Sequence, residues 1–341
     1  MTGGPAAPES KRVAVIGAGS WGTALAMVAA RNQHQVKLWA REPAVASAIN
    51  RDRRNPFYLS GFELPSNIQA TTSLEDAIDG AHFALLVVPS HAMRQIVAQL
   101  RPGLRSEIVL VSAAKGVENS TLMRMEEVVA DVLRDRFAPR YVALSGPSFA
   151  IEVAKGDPTA IVAASSSRES SEIIQRSLSS SLFRIYTNTD VVGVELGGAV
   201  KNVVAIAAGI VRGLGFGTNA VAAIITRGLA EMTRLAVAQG ARVETLAGLA
   251  GLGDLVLTCT GELSRNRHVG VELGRGRKLA NILGEMREVA EGVKSTKSIY
   301  ELGRRLGIEM PITANIYALL YENKPALDAA NELMGRPLKR E

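Results

Sequence analysis

The chain is 341 residues long, 47% hydrophobic and only 4% aromatic, with a formal net charge of +6 and one cysteine. That length exceeds one comfortable core, so two domains are expected. The lone Cys259 rules out an internal disulfide framework, dispersed basic residues with few aromatics argue against nucleic acid, and no run of eighteen uninterrupted apolar residues marks a membrane span.

Residues 1–10 lack the basic and apolar regions of a signal peptide, so they read as a flexible lead and the chain as cytoplasmic. The first element is a strand over Val13–Gly17. It ends in Gly17-x-Gly19-x-x-Gly22 and passes at once into good helix formers, Thr23–Ala30. In such a turn Gly17 permits the tight bend, Gly19 lets the backbone approach a pyrophosphate, and Gly22 lets helix and strand pack closely. The anion then lies at a helix N-terminus, where free N–H groups and the macrodipole favour negative charge. A tight βα turn without a ligand is the alternative.

A second strand, Gln35–Trp39, leads to Arg41, nineteen residues after Gly22. A site for NAD usually holds Asp or Glu there, against the ribose 2′-OH. A guanidinium suits the 2′-phosphate of NADP(H) instead, and Arg54 in the following loop is a second candidate. The adjacent Glu42 competes, because its carboxylate could hold the ribose of NAD(H). NADP(H) is therefore the preferred cofactor on this reading, with NAD(H) as the alternative.

Further strands are expected at Phe83–Val88, Ile108–Ser112, Tyr141–Ser145, Ala160–Ala164 and Phe183–Thr187. Between them Ser73-Leu-Glu-Asp76 starts a helix as a capping box, and Leu122–Leu133 has a helical pattern. The alternation predicts an α/β fold over 11–189, a Rossmann-like, mostly parallel sheet built from βαβ units. Glycines and polar residues recur just past the strands, at Gly17–Gly22, Pro89-Ser90-His91, Lys115-Gly116 and Gly146-Pro147-Ser148. Ligands of open α/β sheets bind outside the carboxyl ends of the strands, so these segments are expected to converge.

After Asp190 the strand signal ends. Long helical stretches, Val191–Leu214 and Ala220–Gln239, predict an all-helical domain over 190–335, followed by a polar, flexible tail over 336–341. The first of these helices is apolar nearly all round and therefore buried, with Lys201 and Asn202 inside it. A buried ammonium must be paired, neutral or facing a cavity. Desolvation lowers a lysine pKa, and the neutral amine can take a proton from an alcohol. A lysine snorkelling at a helix edge is the bland alternative, and Asn202 could be an ordinary core hydrogen-bonder. Asp254 and Thr258 lie one helical turn apart, which places Asp254 to hold Lys201. In Ser264-Arg265-Asn266, Arg265 offers a planar fork for a phosphate with Asn266 and Ser264 as added donors, although such clusters are also common on surfaces. Cys259, in an apolar run, reads as core. His91 and His268 lack metal-ligand spacing, so no metal site is expected.

Taken in order, the segments Gly-Ala-Gly-Ser-Trp-Gly-Thr-Ala-Leu-Ala, Ala-Ala-Lys-Gly, Leu-Ser-Gly-Pro-Ser-Phe-Ala, Ala-Val-Lys-Asn-Val, Gly-Leu-Gly-Asp-Leu-Val-Leu-Thr-Cys and Ser-Arg-Asn run from Gly17 to Asn266, within a match that covers about residues 11–335. In that set the chain resembles the bacterial NAD(P)-dependent glycerol-3-phosphate dehydrogenases. The resemblance implies hydride transfer between sn-glycerol 3-phosphate and dihydroxyacetone phosphate, a small phosphorylated substrate, a supply of glycerol phosphate for phospholipids, and a homodimer. It implies cofactor contacts from Ser20, Trp21, Arg41, Lys115, Ala150, Arg265, Val289 and Glu291. It implies a substrate site lined by Lys115, Gly146, Ser148, Lys201, Asp254, Ser264, Arg265 and Asn266, with Lys201 as proton acceptor. The segment Val289-Ala-Glu-Gly-Val-Lys294 carries the Glu291 assignment, and Glu262-Leu263 lengthens the loop before Arg265 relative to some relatives. A nucleotide-sugar dehydrogenase would share both domains but needs a nucleophilic cysteine. An NADPH-sensing module would need neither Lys201 nor the Ser-Arg-Asn cluster.

Overall fold

The computed structural model describes residues 10–286 and 290–337. Residues 1–9 of the expected lead over 1–10, residues 338–341 of the expected tail over 336–341, and Val289 lie outside the described residues. Two compact units emerge, Met1–Ala114 with Met125–Val191, and Lys115–Arg124 with Val192–Glu341.

The first unit is built on an eight-stranded sheet. Its strands are β1 (Arg12–Ile16), β2 (Gln35–Trp39), β3 (Ile68–Thr71), β4 (Phe83–Leu86), β5 (Val109–Ser112), β6 (Arg140–Ser145), β7 (Thr159–Ala164) and β8 (Phe183–Asn188), in the spatial order β3-β2-β1-β4-β5-β6-β7-β8. All neighbours are parallel except β6 and β7, which pair antiparallel with Leu144 opposite Ala163. Both faces of β1 are buried, Val13 and Val15 as fully as Ala14 and Ile16, as a parallel strand covered on two sides requires. β1 lies between β2 and β4, with Val15 beside Leu38 and Leu85, so the strand order reverses there. Ligands of doubly wound sheets bind at such a switch point. Helices α1 (Ser20–Arg31), α2 (Pro43–Asp52), α3 (Leu74–Ile78), α4 (Met93–Leu100), α5 (Met125–Leu133), α6 (Ala150–Lys155) and α7 (Arg168–Leu178) complete this unit. α3 starts where the sequence predicts, with Ser73 Oγ accepting from the Asp76 N–H at 3.1 Å.

Two elements differ from expectation. β3 has only four residues, with Ile68 and Ala70 buried, too short a pattern to stand out as a strand. α5 begins at Met125 instead of Leu122, because Leu122 has φ +61° and Val117 pairs with Arg124 in an isolated antiparallel bridge. A left-handed branched residue cannot continue a helix.

The second unit is helical: α8 (Val191–Gly213), α9 (Thr218–Ala238), α10 (Val243–Ala247), α11 (Asp254–Thr260), α12 (Arg265–Gly274), α13 (Leu279–Glu285), α14 (Glu291–Arg305), α15 (Pro311–Tyr321) and α16 (Ala326–Met334). α8 is long and apolar enough to cross a membrane by composition, yet its most apolar window is wholly buried inside the protein, as in a core helix. It crosses α12 at backbone contact. A Cβ on Gly209 would meet Arg267 O at 2.2 Å, one on Gly213 would meet Val271 O at 2.2 Å, and one on Gly270 would meet Ile206 O at 2.1 Å. Gly209 and Gly213 are one turn apart on α8, as Gly270 and Gly274 are on α12, so each helix presents a stripe without side chains. The crossing fixes where α12 begins relative to α8.

The clash at Gly270 is with backbone, which cannot rotate away. Gly270→Ala should therefore destabilise the protein by about 1–3 kcal/mol in chemical denaturation. Gly284→Ala in α13, where a Cβ meets nothing within 4 Å, should be neutral or stabilise by up to about 1 kcal/mol. Equal effects at both positions would show that the crossing does not demand Gly270.

Candidate active site

In the sheet unit the three glycines have different surroundings. Gly17 has φ +121° and a Cβ there would lie 2.3 Å from Val87 O, whereas one on Gly22 would lie 1.7 Å from Gly17 O. At Gly19 a Cβ would meet nothing within 4 Å, leaving open space in front of the backbone that leads into Ser20 and Trp21. Tight packing behind and an open face before a helix N-terminus form a cradle that fits a pyrophosphate.

Sequence reasoning missed the residue that braces this turn. Asn55 is fully buried, its Nδ2 donating to Ala18 O and Thr23 Oγ1, both at 2.9 Å. Its Oδ1 accepts from the N–H groups of Phe57 and Tyr58. The only local signal was Asn55-Pro56, a turn-starting pair that says nothing of a partner 32 residues earlier.

Past β2, the two rival residues for the cofactor ribose are joined to each other. Arg41 Nη2 and Nε donate to Glu42 Oε1 at 2.7 and 3.0 Å, with the arginine side chain 82% exposed. Arg54 is exposed and donates to Ser60 O at 3.3 Å. After β6, Gly146 has φ +143° and a Cβ there would press on Ile161, while Ser148 Oγ donates to Gly146 O at 3.0 Å. Ala150 opens α6.

In the helical unit Lys201, Asp254, Thr258 and Lys115 meet. Gly197 lies one turn before Lys201 on α8, and its missing Cβ leaves room for Ala250 O, which such an atom would approach to 2.7 Å. That close approach brings in the π-type turn Leu249–Gly253 and hence Asp254 at the start of α11. Lys201 Nζ then donates to Asp254 Oδ1 at 2.5 Å and to Thr258 Oγ1 at 2.8 Å. The other carboxylate oxygen, Oδ2, accepts from Lys115 Nζ at 2.7 Å. Thr258 Oγ1 donates its own hydrogen bond to Asp254 O at 2.6 Å, so its lone pairs face the ammonium. The Lys201 and Asp254 side chains are 7% and 1% exposed, and Lys115 is 16% exposed. Two ammoniums on one carboxylate leave a net positive centre in a nearly dry place.

Burial lowers the Lys201 pKa to about 8; Asp254 opposes that shift and the Lys115 charge adds to it. Burial works against the Asp254 charge, but the Lys115 and Lys201 ammoniums outweigh it and hold the carboxyl below its ordinary range. The Cys259 thiol is pushed up to about 12 by burial, so it is no nucleophile near neutral pH. That removes the nucleophilic cysteine a nucleotide-sugar dehydrogenase needs.

The start of α12 is tied to this centre. Ser264 caps the helix, its Oγ accepting from the Arg267 N–H at 3.2 Å. Asn266 Nδ2 donates to Asn202 Oδ1 and its Oδ1 accepts from the Gly292 N–H, each at 2.9 Å. A Cβ on Gly292 would press on Asn202 O and Asn266 Oδ1, both at 2.7 Å. Asn202, beside Lys201, thus links α8, α12 and α14, and Arg265 stands exposed at the first turn of α12. Glu291 is the first residue of α14, at the same junction. Among the described residues no group of His, Cys, Asp and Glu could hold a metal.

Two family models match the chain, described as the NAD-dependent glycerol-3-phosphate dehydrogenase N-terminus over residues 12–171 and the C-terminus over 190–331. A glycerol-3-phosphate dehydrogenase [NAD(P)+] of Koribacter versatilis is 56% identical over 328 residues, covering 96% of this chain and 97% of that one. One from Geobacter sulfurreducens is also 56% identical, over 97% of this chain and 99% of its own. A crystal structure of glycerol-3-phosphate dehydrogenase from Coxiella burnetii superposes with a TM-score of 0.91 at 38% identity, covering 96% of this chain and all of that one.

Proposed function

Because this chain belongs to the NAD-dependent glycerol-3-phosphate dehydrogenase family and is an NAD(P)-using enzyme of that activity, we propose that Lys201 is its general acid and base. The supporting observation is a buried lysine with a pKa lowered to about 8, held by Asp254 and Thr258. A group poised near the working pH gives and takes a proton with comparable ease. As an ammonium, Lys201 donates a proton to the carbonyl oxygen of dihydroxyacetone phosphate. As an amine, it removes the hydroxyl proton of sn-glycerol 3-phosphate. Asp254 orients Nζ, and Lys115 adds positive charge where an alkoxide develops. Bound NAD(P) accepts or supplies the hydride.

Arg265 grips the substrate phosphate, with Asn266 and Ser264 as added donors, so that remote binding energy orients the reacting carbon. Gly146 and Ser148 line the same substrate site. Gly17, Gly19, Ser20, Trp21 and Gly22 hold the pyrophosphate, and Arg41 with Arg54 receives a 2′-phosphate, which makes NADP(H) the preferred cofactor. Lys115, Ala150, Arg265, Val289 and Glu291 complete the cofactor contacts. On this reading 11–189 is the dinucleotide-binding domain and 190–335 the substrate domain. The enzyme is a cytoplasmic homodimer without a membrane span, and its product serves phospholipid synthesis.

Arg265→Lys tests the phosphate grip. It keeps the charge and loses the two-point fork. A charge-assisted bond is worth about 1.5–3 kcal/mol, so kcat/KM for dihydroxyacetone phosphate should fall about ten- to hundredfold at saturating NADPH. The low rate on unphosphorylated dihydroxyacetone should hardly change. Equal proportional losses on both substrates would reject the grip.

Arg41→Ala addresses the cofactor. Only NADPH carries the 2′-phosphate, so its Kd should rise about tenfold or more while that of NADH changes little. Equal weakening of both, read by fluorescence titration, would remove the basis for an NADP(H) preference.

A further inference from the structure

Lys115 reaches Asp254 from a segment that follows β5 of the sheet, yet Lys115–Arg124 belongs with the helical unit. The segment is closed on itself. Val117 and Arg124 pair antiparallel, Glu118 N–H donates to Met123 O at 2.9 Å, and Thr121 Oγ1 donates to Glu118 Oε2 at 2.6 Å. Val117 is buried in the core formed by Leu196, Val200 and their neighbours. Arg124, opposite Val117, sends Nη1 to Glu195 Oε2 of α8 at 2.8 Å, with side chains only 10% and 4% exposed.

A buried ion pair is a poor source of stability, since an apolar pair of similar volume often does as well. It does fix geometry, because both charges are strongly disfavoured when parted. We propose that Glu195 and Arg124 are positioning residues for the reaction: their ion pair fastens the 115–124 segment to α8 and so keeps Lys115 Nζ on Asp254 Oδ2. Lys115 lies two residues before Val117, so loosening the Val117–Arg124 bridge frees the backbone that carries it. This inference rests on the assignment of Lys201 as the acid–base group.

The sign of a pH shift separates positioning from direct electrostatics. Around Lys201 Nζ stand Asp254 and Thr258 from α11 and Lys115 from this segment; the nearby Cys259 thiol stays protonated to about pH 12 and adds no charge. The Lys115 charge helps to lower the Lys201 pKa, so its retreat raises that pKa. Removing the Glu195 carboxylate, or leaving Arg124 unpaired, would act through space the other way, because less negative or more positive charge lowers a lysine pKa.

The test is the pH dependence of kcat/KM for sn-glycerol 3-phosphate oxidation at saturating NADP⁺, in the wild type, Lys115→Ala, Glu195→Gln and the double variant. Oxidation needs the neutral amine, so its ascending limb follows Lys201. Lys115→Ala should move that limb up by about one pH unit. Glu195→Gln should move it in the same direction, and the double variant should go no further than Lys115→Ala alone. Where Glu195→Gln is too unstable to assay, Arg124→Lys keeps the charge with a shorter reach and should show the same upward shift, smaller in size. A limb that stays put or falls in Glu195→Gln, or that rises further in the double variant, overturns the positioning role while leaving Lys201 in place. An unmoved limb in Lys115→Ala overturns this inference, because Lys115 then does not tune the titrating group; whether that group is Lys201 is read separately from Lys201→Ala.

Discussion

Asp254 is the point on which the helical unit is organised. Its carboxylate, almost without solvent, binds Lys201 through one oxygen and Lys115 through the other. A single carboxylate between two ammoniums is stable only when all three are held in place, since any one left alone in a dry interior is strongly unfavourable. The same balance sets the proton affinity of Lys201. Desolvation and Lys115 pull the Lys201 pKa down, Asp254 pulls it up, and the result is about 8.

Glycines do much of the placing. Gly197 admits the turn that delivers Asp254 one helical turn from where Lys201 departs, and the Gly209–Gly213 and Gly270–Gly274 stripes bring α12 against α8. Those contacts involve backbone on both sides, so they fix distances more rigidly than side chains can. The Asn202–Asn266–Gly292 chain then converts the helix crossing into a hydrogen-bonded junction beside Lys201. In the sheet unit Gly17 and Gly22 do the same for the turn that Asn55 braces.

Much of this could be read from the sequence wherever the signal was local. A β-branched run before the glycines and a helix former after them identified β1, the turn and α1. A lysine in an otherwise apolar helix announced that a partner was required, and Asp254 with Thr258 at one-turn spacing supplied it. What escaped depends on long-range pairing. β3 is a strand because β2 offers it a parallel partner, with Lys37 beside Gln69, and four residues carry no pattern of their own. In the 115–124 segment the sequence marks Lys115-Gly116 as a loop past a strand and Leu122 as the start of a helix, and only the bridge at Val117 and the burial of Arg124 against Glu195 reveal its allegiance to α8. Asn55 lies in an ordinary loop until Ala18 and Thr23 are folded against it. The Arg41–Glu42 ion pair joins two residues that the sequence marked only as rivals for the cofactor ribose.

The central claim is that the proton moves through Lys201 Nζ and that the remaining machinery serves that atom. The most direct measurement is the turnover of folded Lys201→Ala with dihydroxyacetone phosphate, made alongside its NADPH affinity. General acid–base catalysis is worth about 10²–10⁴-fold, so kcat should fall by that amount while the Kd for NADPH stays within about twofold of the wild type. Near-native turnover in that variant, with the fold verified by its unfolding midpoint, would contradict the account.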